Sequence, residues 1–211
     1  MSFELETLTV GPLDVNCYLL SHQGKAIAID AGGNAEQISS VIKEKKLELT
    51  CILNTHLHFD HCYANAALQK EFNVPILAGQ LDAVLLESEL GLGGAYGFEK
   101  VEPYKVEYIG EGNRTLLNTE CKVLLTPGHT PGSLSYYFPK WNIVFTGDVL
   151  FYRSVGRTDF PGGSSKVLRQ SIKEVLFALP DNTDVYPGHG DPTNIGDEKL
   201  NNPYYGQFAR I

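Results

Sequence analysis

The sequence lacks the features that mark membrane and secreted proteins. No stretch of its 211 residues is long and apolar enough to span a bilayer. The first ten residues, MSFELETLTV, alternate and carry acidic groups, which is typical of a first strand and not of a signal peptide. The four cysteines (Cys17, Cys51, Cys62 and Cys121) do not have a metal-binding spacing such as CxxC. We therefore expect a reduced, cytoplasmic protein with no membrane partner.

Positive charge is also scarce. With 17 Lys and Arg against 25 Asp and Glu, the formal net charge is −8, and there is no basic stripe of the kind that nucleic-acid binders carry. The short stretch KEKK at 43–46 is typical of the solvated face of a helix. The charge balance therefore disfavours nucleic-acid partners, and we expect a small-molecule substrate.

The composition is that of an ordinary globular protein. Hydrophobic residues make up 43% of the chain and charged residues 20%, which suits a protein with a packed core. A length of 211 residues fits one large domain better than two, and no internal repeat stands out. We therefore expect a single domain over 1–211. The sequence does not fix the number of subunits.

Alternation and turn residues predict two β-rich halves, each followed by helices. The predicted strands of the first half are Thr7–Val10, Cys17–Leu20, Ala26–Ile29, Cys51–Asn54 and Val74–Ala78, and those of the second are Lys105–Ile109, Arg114–Leu117, Lys122–Thr126, Leu134–Phe138, Ile143–Thr146 and Thr183–Tyr186. The predicted helices are Ala35–Lys46 with Asn34 as its cap, Tyr63–Phe72 and Ser165–Leu179. The glycine-rich segment Gly91–Gly97 is predicted to be a flexible loop. This order indicates an α+β protein with two sheets packed face to face and helices outside.

Five of the six histidines lie in three places, each at the end of a predicted strand. The first place holds His56, His58, Asp60 and His61. Residues two apart in an extended segment point the same way, so His56 and His58 can bind one ion. Asp60 and His61 turn into the next helix and can face a neighbouring ion. Imidazole and carboxylate ligands suit zinc and other borderline divalent metals.

The other two places share a Pro-Gly-His turn. His129 lies in PGHTPG and His189 in PGHG, and the prolines and glycines set a tight turn that aims each imidazole. Asp148 ends the strand TGD between them, where its two oxygens can bridge two cations. His22, by contrast, is interpreted as a structural residue in a turn. Each of these later residues is weak evidence alone, and together with the first cluster they indicate a two-metal site.

In this order, the motifs HxHxDH, PGHTPGS, TGD and PGHG resemble those of the metallo-β-lactamase superfamily, over nearly the whole chain. The resemblance implies a four-layer αββα sandwich with two divalent metal ions at one edge of its sheets, zinc first and iron or manganese as alternatives. It also implies that the first ion is bound by His56, His58 and His129, and the second by Asp60, His61 and His189, with Asp148 bridging. Asp30 matches a strand-end aspartate that supports the site without binding metal. True β-lactamases of the fold lack the bridging carboxylate, so antibiotic hydrolysis is not expected.

Within the superfamily, GDVLF at 147–151 and GRTD at 156–159 resemble the glyoxalase II group. The ending from Gly188 to Pro203 resembles its short, single-domain members, and we expect no helical C-terminal domain of the kind that contacts glutathione in glyoxalase II proper. The implied activity is hydrolysis of a thioester of the hydroxyacylglutathione type, or of a related ester, by a metal-bridging hydroxide. Asp60 would be the catalytic residue that orients this hydroxide.

The loop after Asp148 is expected to border the site. Tyr152 and Arg157 are candidate substrate contacts, since an arginine can bind a carboxylate through paired hydrogen bonds. The alternative is that Arg157 pairs with Asp159 and braces the loop. Cys62 lies close to the candidate ligands in sequence, but nothing supplies it with a paired base, so we expect a structural role.

Three other functions compete with hydrolysis of a thioester. Persulfide dioxygenases share the fold and a similar GRTDF stretch, and His56, His129 and Asp148 would supply their mononuclear iron triad. A phosphodiesterase or nuclease is disfavoured by the acidic charge. A non-catalytic metal-binding protein is disfavoured because the set of seven ligands is complete. The identity and number of bound metals discriminate between hydrolase and dioxygenase.

Overall fold

The computed structural model describes residues 3–209. The chain divides into two compact units, one ending at Ile109 and the other beginning at Gly110. Each unit contains one six-stranded sheet with its own helices. Within 3–209, no helix has the length and apolarity needed to cross a membrane. The single domain expected over 1–211 stays a prediction.

The first unit is built on a sheet whose strands keep their chain order. The strands are β1 (Glu4–Val10), β2 (Val15–His22), β3 (Lys25–Ile29), β4 (Glu48–Leu53), β5 (Ile76–Gly79) and β6 (Val106–Ile109). Pairing is antiparallel from β1 to β3 and parallel from β3 to β6. Parallel neighbours need a crossover, and the helices α1 (Ala35–Glu44) and α2 (Asn65–Phe72) lie in the first two. Two 3₁₀ segments (Phe59–His61 and Gln80–Glu87) and the short helix α3 (Glu89–Leu92) complete the unit.

Apolar residues at helical spacing hold these helices on the sheet. Ile38 and Ile42 lie one turn apart on α1, and both are fully buried in a cluster with strand residues such as Ile52 and Ile76. Leu68 of α2 enters the same cluster. Burying side chains of this size contributes roughly 1.5–3 kcal/mol each. The packing therefore anchors β3 and β4, whose carboxyl ends carry the first group of candidate site residues.

The second unit is built on a mixed sheet with a small hairpin beside it. Its strands are β7 (Gly112–Leu116), β8 (Thr119–Leu125), β9 (Leu134–Phe138), β10 (Ile143–Gly147), β11 (Leu150–Phe151), β12 (Ser154–Val155), β13 (Asp184–Pro187) and β14 (Thr193–Asn194). The sheet order is β14-β13-β10-β9-β8-β7, and β11 pairs with β12. The β10–β13 pair is parallel and its neighbours are antiparallel. Helix α4 (Ser165–Gln170) continues as a π turn and a 3₁₀ turn to Ala178, and α5 (Ile195–Asn201) follows β14.

Each predicted strand overlaps an observed one, because alternation and turn residues mark strands well. The interpretation of Thr183–Tyr186 as the final strand is wrong, since β14 and α5 follow it. The predicted helix Ser165–Leu179 is found, but its type changes after Gln170. His22 ends β2 and is buried, so its assignment to a turn is also wrong.

Three local predictions need correction. Asn34 does precede α1, but its backbone is left-handed (φ 51°) and its Oδ1 accepts a hydrogen bond from the Gly11 N–H at 3.1 Å in place of capping the helix. Helix α2 begins at Asn65 and not at Tyr63, because residues 62–64 form a turn after the 3₁₀ segment. The segment Gly91–Gly97 is not a loop throughout, since Gly91 is buried within α3.

Gly128 packs the turn before His129 against α4. Its φ is +130°, a conformation that favours glycine, and a Cβ there would overlap the backbone of Leu168. The Gly128 carbonyl also accepts a hydrogen bond from the Ser164 N–H at 2.8 Å. This turn therefore tolerates no side chain at position 128.

We expect Gly128→Ala to lower the free energy of unfolding by about 1–3 kcal/mol or more, through overpacking and backbone strain. Urea denaturation of the purified protein measures this change in the free energy of unfolding. Gly110→Ala is the matched control, because a Cβ at Gly110 meets nothing within 4 Å. Equal midpoints for the two variants would contradict the close packing.

Candidate metal centre

The first unit gathers four candidate ligands at the carboxyl end of β4. His56 and His58 lie on the loop that leaves the strand, and Asp60 and His61 lie on the 3₁₀ turn Phe59–His61. All four side chains are buried, with exposures of 1%, 6%, 7% and 0% in that order. Charged and polar groups are rarely buried without partners. Their burial together indicates a site that was built for them.

Distances within this cluster suit the binding of ions. The ligand atoms lie within 4.8 Å of one another in the pairs His56–His58, His56–His61 and Asp60–His61. The Asp60 Oδ2 lies 3.6 Å from the His61 Nε2. Two atoms that each bind one ion at about 2.0–2.2 Å with a tetrahedral angle are about 3.4 Å apart. The Asp60–His61 distance is close to that value and longer than a good hydrogen bond.

Asp30 holds this cluster from the neighbouring strand. It follows β3, the parallel neighbour of β4, so both carboxyl ends lie at the same edge of the sheet. Its Oδ1 accepts a hydrogen bond from the Thr55 N–H and its Oδ2 one from the Thr55 hydroxyl, both at 2.7 Å. The same Oδ2 lies 3.1 Å from the His61 Nδ1. Asp30 therefore fixes the start of the loop through Thr55 and places a carboxylate beside the His61 ring.

Two further buried residues hold the loop, and no sequence motif points to either of them. Asp82, fully buried, accepts a hydrogen bond from the Leu57 N–H at 3.2 Å. The Asn54 side chain donates to the His61 carbonyl at 3.0 Å. A signal for Asp82 existed, because it comes soon after β5, the next parallel strand along the same edge.

The second unit gathers the other three candidate ligands. Asp148 follows β10 and His189 follows β13, and these strands are parallel neighbours. The Asp148 Oδ2 lies 3.7 Å from the Nε2 of His129 and 3.7 Å from the Nε2 of His189. Both distances again approach the spacing expected for atoms that share an ion. The structure thus brings together His129, Asp148 and His189, which lie far apart in sequence.

The tautomer of His129 follows from its surroundings. Its Nδ1 lies 2.8 Å from the Arg157 carbonyl oxygen. A carbonyl can only accept, so the Nδ1 must carry the hydrogen and donate it. In a neutral imidazole of this tautomer, the Nε2 carries the lone pair on the side that faces Asp148. This is the arrangement in which an imidazole binds a metal.

The candidate substrate contacts differ in their surroundings. Tyr152 is 50% exposed, with the Arg153 guanidinium 4.8 Å from its ring centroid. The Arg157 guanidinium donates to both carboxylate oxygens of Asp159 at 2.7 Å and lies 3.9 Å from the Phe160 ring centroid. The Arg157 hydrogen bonds, and then a backbone hydrogen bond, hold the pKa of Asp159 at about 2. Both partners of this ion pair are therefore charged at neutral pH.

All four cysteines are buried thiols. Burial raises the pKa of Cys51 to about 12, and it raises those of Cys17 and Cys62 as well. The thiolate is the nucleophilic form. None of these three side chains is therefore suited to act as a nucleophile, in agreement with the structural role expected for Cys62.

Comparison with known proteins places these features in one family. The sequence profile of the metallo-beta-lactamase superfamily matches residues 10–189. The probable metallo-hydrolase YqgX of Bacillus subtilis is 37% identical over 207 residues, which cover 96% of this chain and 97% of that protein. The hydroxyacylglutathione hydrolase GloC of Haemophilus influenzae is 36% identical over 205 residues, which cover 95% of this chain and 97% of that protein.

Solved structures share the fold. The B3 metallo-β-lactamase BLEG-1 superposes with a TM-score of 0.87 at 34% identity, covering 99% of this chain and 100% of that one. The di-iron-bound form of TTHA1623 gives 0.86 at 37% identity, with coverage of 94% and 99%. ETHE1 from Myxococcus xanthus gives 0.77 at 31% identity, with coverage of 96% and 84%. The α+β metallo-β-lactamase fold predicted from the motifs is therefore confirmed.

We expect Asp30→Asn to weaken the binding of divalent metal about 10- to 100-fold, because an amide cannot accept hydrogen bonds at both positions and orient His61. Competition with a chromophoric chelator measures the affinity. Asp14→Asn is the control, since Asp14 is exposed on the same unit. Unchanged affinity in Asp30→Asn would show that the ring of His61 needs no such support.

The buried thiols give a second expectation. The native protein should consume almost no chromogenic disulfide reagent, whereas the denatured protein should consume four equivalents, one for each cysteine. Absorbance of the released chromophore follows the reaction. Rapid modification of one thiol in the native state would reopen a nucleophilic role for cysteine.

Proposed function

Since the chain belongs to the metallo-β-lactamase superfamily, we propose that it is a metal-dependent hydrolase of thioesters of the hydroxyacylglutathione type or of related esters. The observation that carries this proposal is the 36% identity to GloC, which extends over 97% of that protein. The match covers GloC almost from end to end. GloC therefore needs no large additional segment, beyond what aligns with this chain, for the activity in its name.

The proposed metal centre combines the two clusters of candidate ligands. We assign His56, His58 and His129 to one ion and Asp60, His61 and His189 to the other, with Asp148 bridging. The donor chemistry supports divalent ions, since imidazole and carboxylate suit zinc, iron and manganese alike. The distances inside each unit also support it. Zinc is the first choice, and the di-iron-bound form of TTHA1623 keeps iron as the alternative.

The residues of the chain divide the work of hydrolysis. When bound, two divalent ions lower the pKa of a coordinated water to about 7 and polarise a substrate carbonyl. Asp60 would accept a hydrogen bond from the attacking water and hold it in line with the carbonyl carbon. His129 would keep its Nε2 free of hydrogen because its Nδ1 donates to the Arg157 carbonyl. No cysteine or serine nucleophile is needed.

Substrate contacts are proposed on the segment that follows Asp148. Tyr152 offers a half-exposed ring and hydroxyl. Arg157 offers a guanidinium, but a substrate carboxylate would have to compete with Asp159 for it. We therefore place Tyr152 first as a contact and assign to Arg157 mainly the support of His129. A small-molecule substrate and a cytoplasmic location stay predictions.

A mononuclear iron persulfide dioxygenase is the second candidate. His56, His129 and Asp148 would be its ligands, and the same three residues belong to the set proposed for the hydrolase. The observation that favours it is the likeness to ETHE1 from Myxococcus xanthus, with 31% identity and a TM-score of 0.77. Hydrolysis of β-lactams is a further outcome to test, because BLEG-1 shares 34% of its residues with this chain.

The decisive experiment combines metal content with turnover on one sample. Elemental analysis of protein purified without added metal should give about two zinc or mixed ions per chain, and the same sample should hydrolyse S-lactoylglutathione. We expect His58→Ala to lose this turnover, because it removes one proposed ligand. His22→Gln is the matched control, since His22 lies outside both clusters and should leave turnover intact.

Two other results would contradict the proposal. One iron per chain, no thioester turnover and oxygen uptake with glutathione persulfide would favour the dioxygenase. Turnover of a chromogenic cephalosporin in the absence of thioester turnover would favour a β-lactamase.

A further inference from the structure

Glu198, on helix α5, is a carboxylate with no exposed surface. Its Oε1 accepts hydrogen bonds from the Arg153 Nη1 at 2.7 Å and the Thr193 hydroxyl at 2.8 Å. Its Oε2 accepts from the Arg153 backbone N–H at 3.1 Å and the Asn202 side chain at 2.8 Å. A buried carboxylate is costly unless hydrogen bonds replace its hydration. Four donors do so here, and two of them belong to one residue.

That residue, Arg153, lies in the turn of the β11–β12 hairpin. Its backbone is left-handed, with φ of 55°. Besides its bonds to Glu198, its Nη2 donates to the Asp197 carboxylate at 2.7 Å. The next residue of the hairpin, Ser154, accepts a hydrogen bond from the Asn202 side chain through its carbonyl at 3.2 Å. Arg153, Glu198 and Asn202, which we call the α5 clamp, therefore fix the hairpin turn to α5.

The hairpin in turn contacts all three candidate ligands of the second unit. It begins directly after Asp148 and Val149, and the Gly156 N–H at its far end donates to the Val149 carbonyl at 3.2 Å. A Cβ at Gly156 would overlap the Asp148 carbonyl, so the two ends of the hairpin are closely packed.

The other two ligands contact β11 and the residue that follows the hairpin. The Phe151 ring on β11 lies 6.5 Å from the His189 ring, centroid to centroid. The Arg157 carbonyl, one residue past Gly156, accepts the hydrogen bond from His129. A shift of the hairpin would therefore move Asp148 and loosen the supports of both histidines.

We propose that Glu198 is a positioning residue of the metal centre, acting through Arg153 and the hairpin to hold His129, Asp148 and His189 at ion-binding distances. The inference rests on the ligand set of the proposed function. It assigns to α5, more than 40 residues beyond Asp148 in the chain, a role in metal affinity and not only in folding. Removing residues that support metal ligands typically weakens metal binding about 10- to 100-fold.

The test compares two clamp variants with a control on the same arginine. Glu198→Gln removes the buried charge, and Arg153→Met removes the guanidinium. Asp197→Asn is the control. It changes the other carboxylate partner of Arg153, and the Asp197 side chain is 34% exposed. Zinc affinity is measured by competition with a chromophoric chelator, and the urea midpoint of the metal-free protein is measured alongside. We expect both clamp variants to bind zinc about 10- to 100-fold more weakly and Asp197→Asn to stay within about twofold of the wild type.

A merely structural role would give a different pattern. It would lower the urea midpoint of the metal-free clamp variants but leave the zinc affinity of the folded protein unchanged, and that result overturns the proposal. If one clamp variant does not fold, the other decides. Arg153→Met leaves the buried Glu198 carboxylate without its guanidinium partner, whereas Glu198→Gln replaces that carboxylate by a neutral side chain of similar size.

The assay contains no substrate, so it is independent of the thioester. A wild-type protein that binds zinc tightly but does not hydrolyse S-lactoylglutathione contradicts the proposed function and leaves the clamp to be judged on affinity alone. A wild-type protein without affinity for divalent metals overturns both.

Discussion

The structure depends on the burial of imidazole and carboxylate groups at the carboxyl ends of strands. Such groups lose favourable hydration when they are buried, and the loss is tolerated only if hydrogen bonds or ions replace the water. In the first unit, Asp30 meets this requirement by accepting two hydrogen bonds from Thr55 while it faces His61. In the second unit, the Arg157 carbonyl does so for His129. Each candidate cluster therefore has polar neighbours that compensate for the burial of its members.

The two units support their buried ligand side chains with different backbone elements. In the first, three parallel strands end at one edge, and Asp30, Asn54 and Asp82 extend from neighbouring strand ends to the loop after β4. In the second, the support comes from a helix that lies later in the chain, since α5 holds the two-residue turn of the β11–β12 hairpin through Arg153 and Glu198. In both units ligand atoms lie 3.6–3.7 Å apart, on one short loop in the first unit and on three separate turns in the second.

Membership of the superfamily limits the chemistry without choosing it. The same histidines and aspartates suit two zinc ions that activate water or one iron that activates oxygen, because the ligand types overlap. The names of the relatives are equally broad, from a hydroxyacylglutathione hydrolase to a B3 metallo-β-lactamase and a di-iron protein. What separates these chemistries is the metal that is bound and the group that lines its approach. Under the proposed function, the segment that carries Tyr152 and Arg157 lines that approach.

The sequence alone determined the fold class, the order of most strands and the seven candidate ligands. It could do so because strand alternation is local, and because HxHxDH and the Pro-Gly-His turns concentrate metal-binding residues within a few positions. It did not reveal the roles of Asp82 and Glu198, because Asp82 accepts from Leu57, 25 residues away, and the charged partner of Glu198 is Arg153, 45 residues away. The local pattern also predicts Asn34 as a helix cap, but the Asn34 side chain instead accepts a hydrogen bond from the N–H of Gly11, which lies 23 residues away. Tertiary structure decided these points, because a buried carboxylate or amide takes the donor that folding brings to it, and no local pattern records which donor that is.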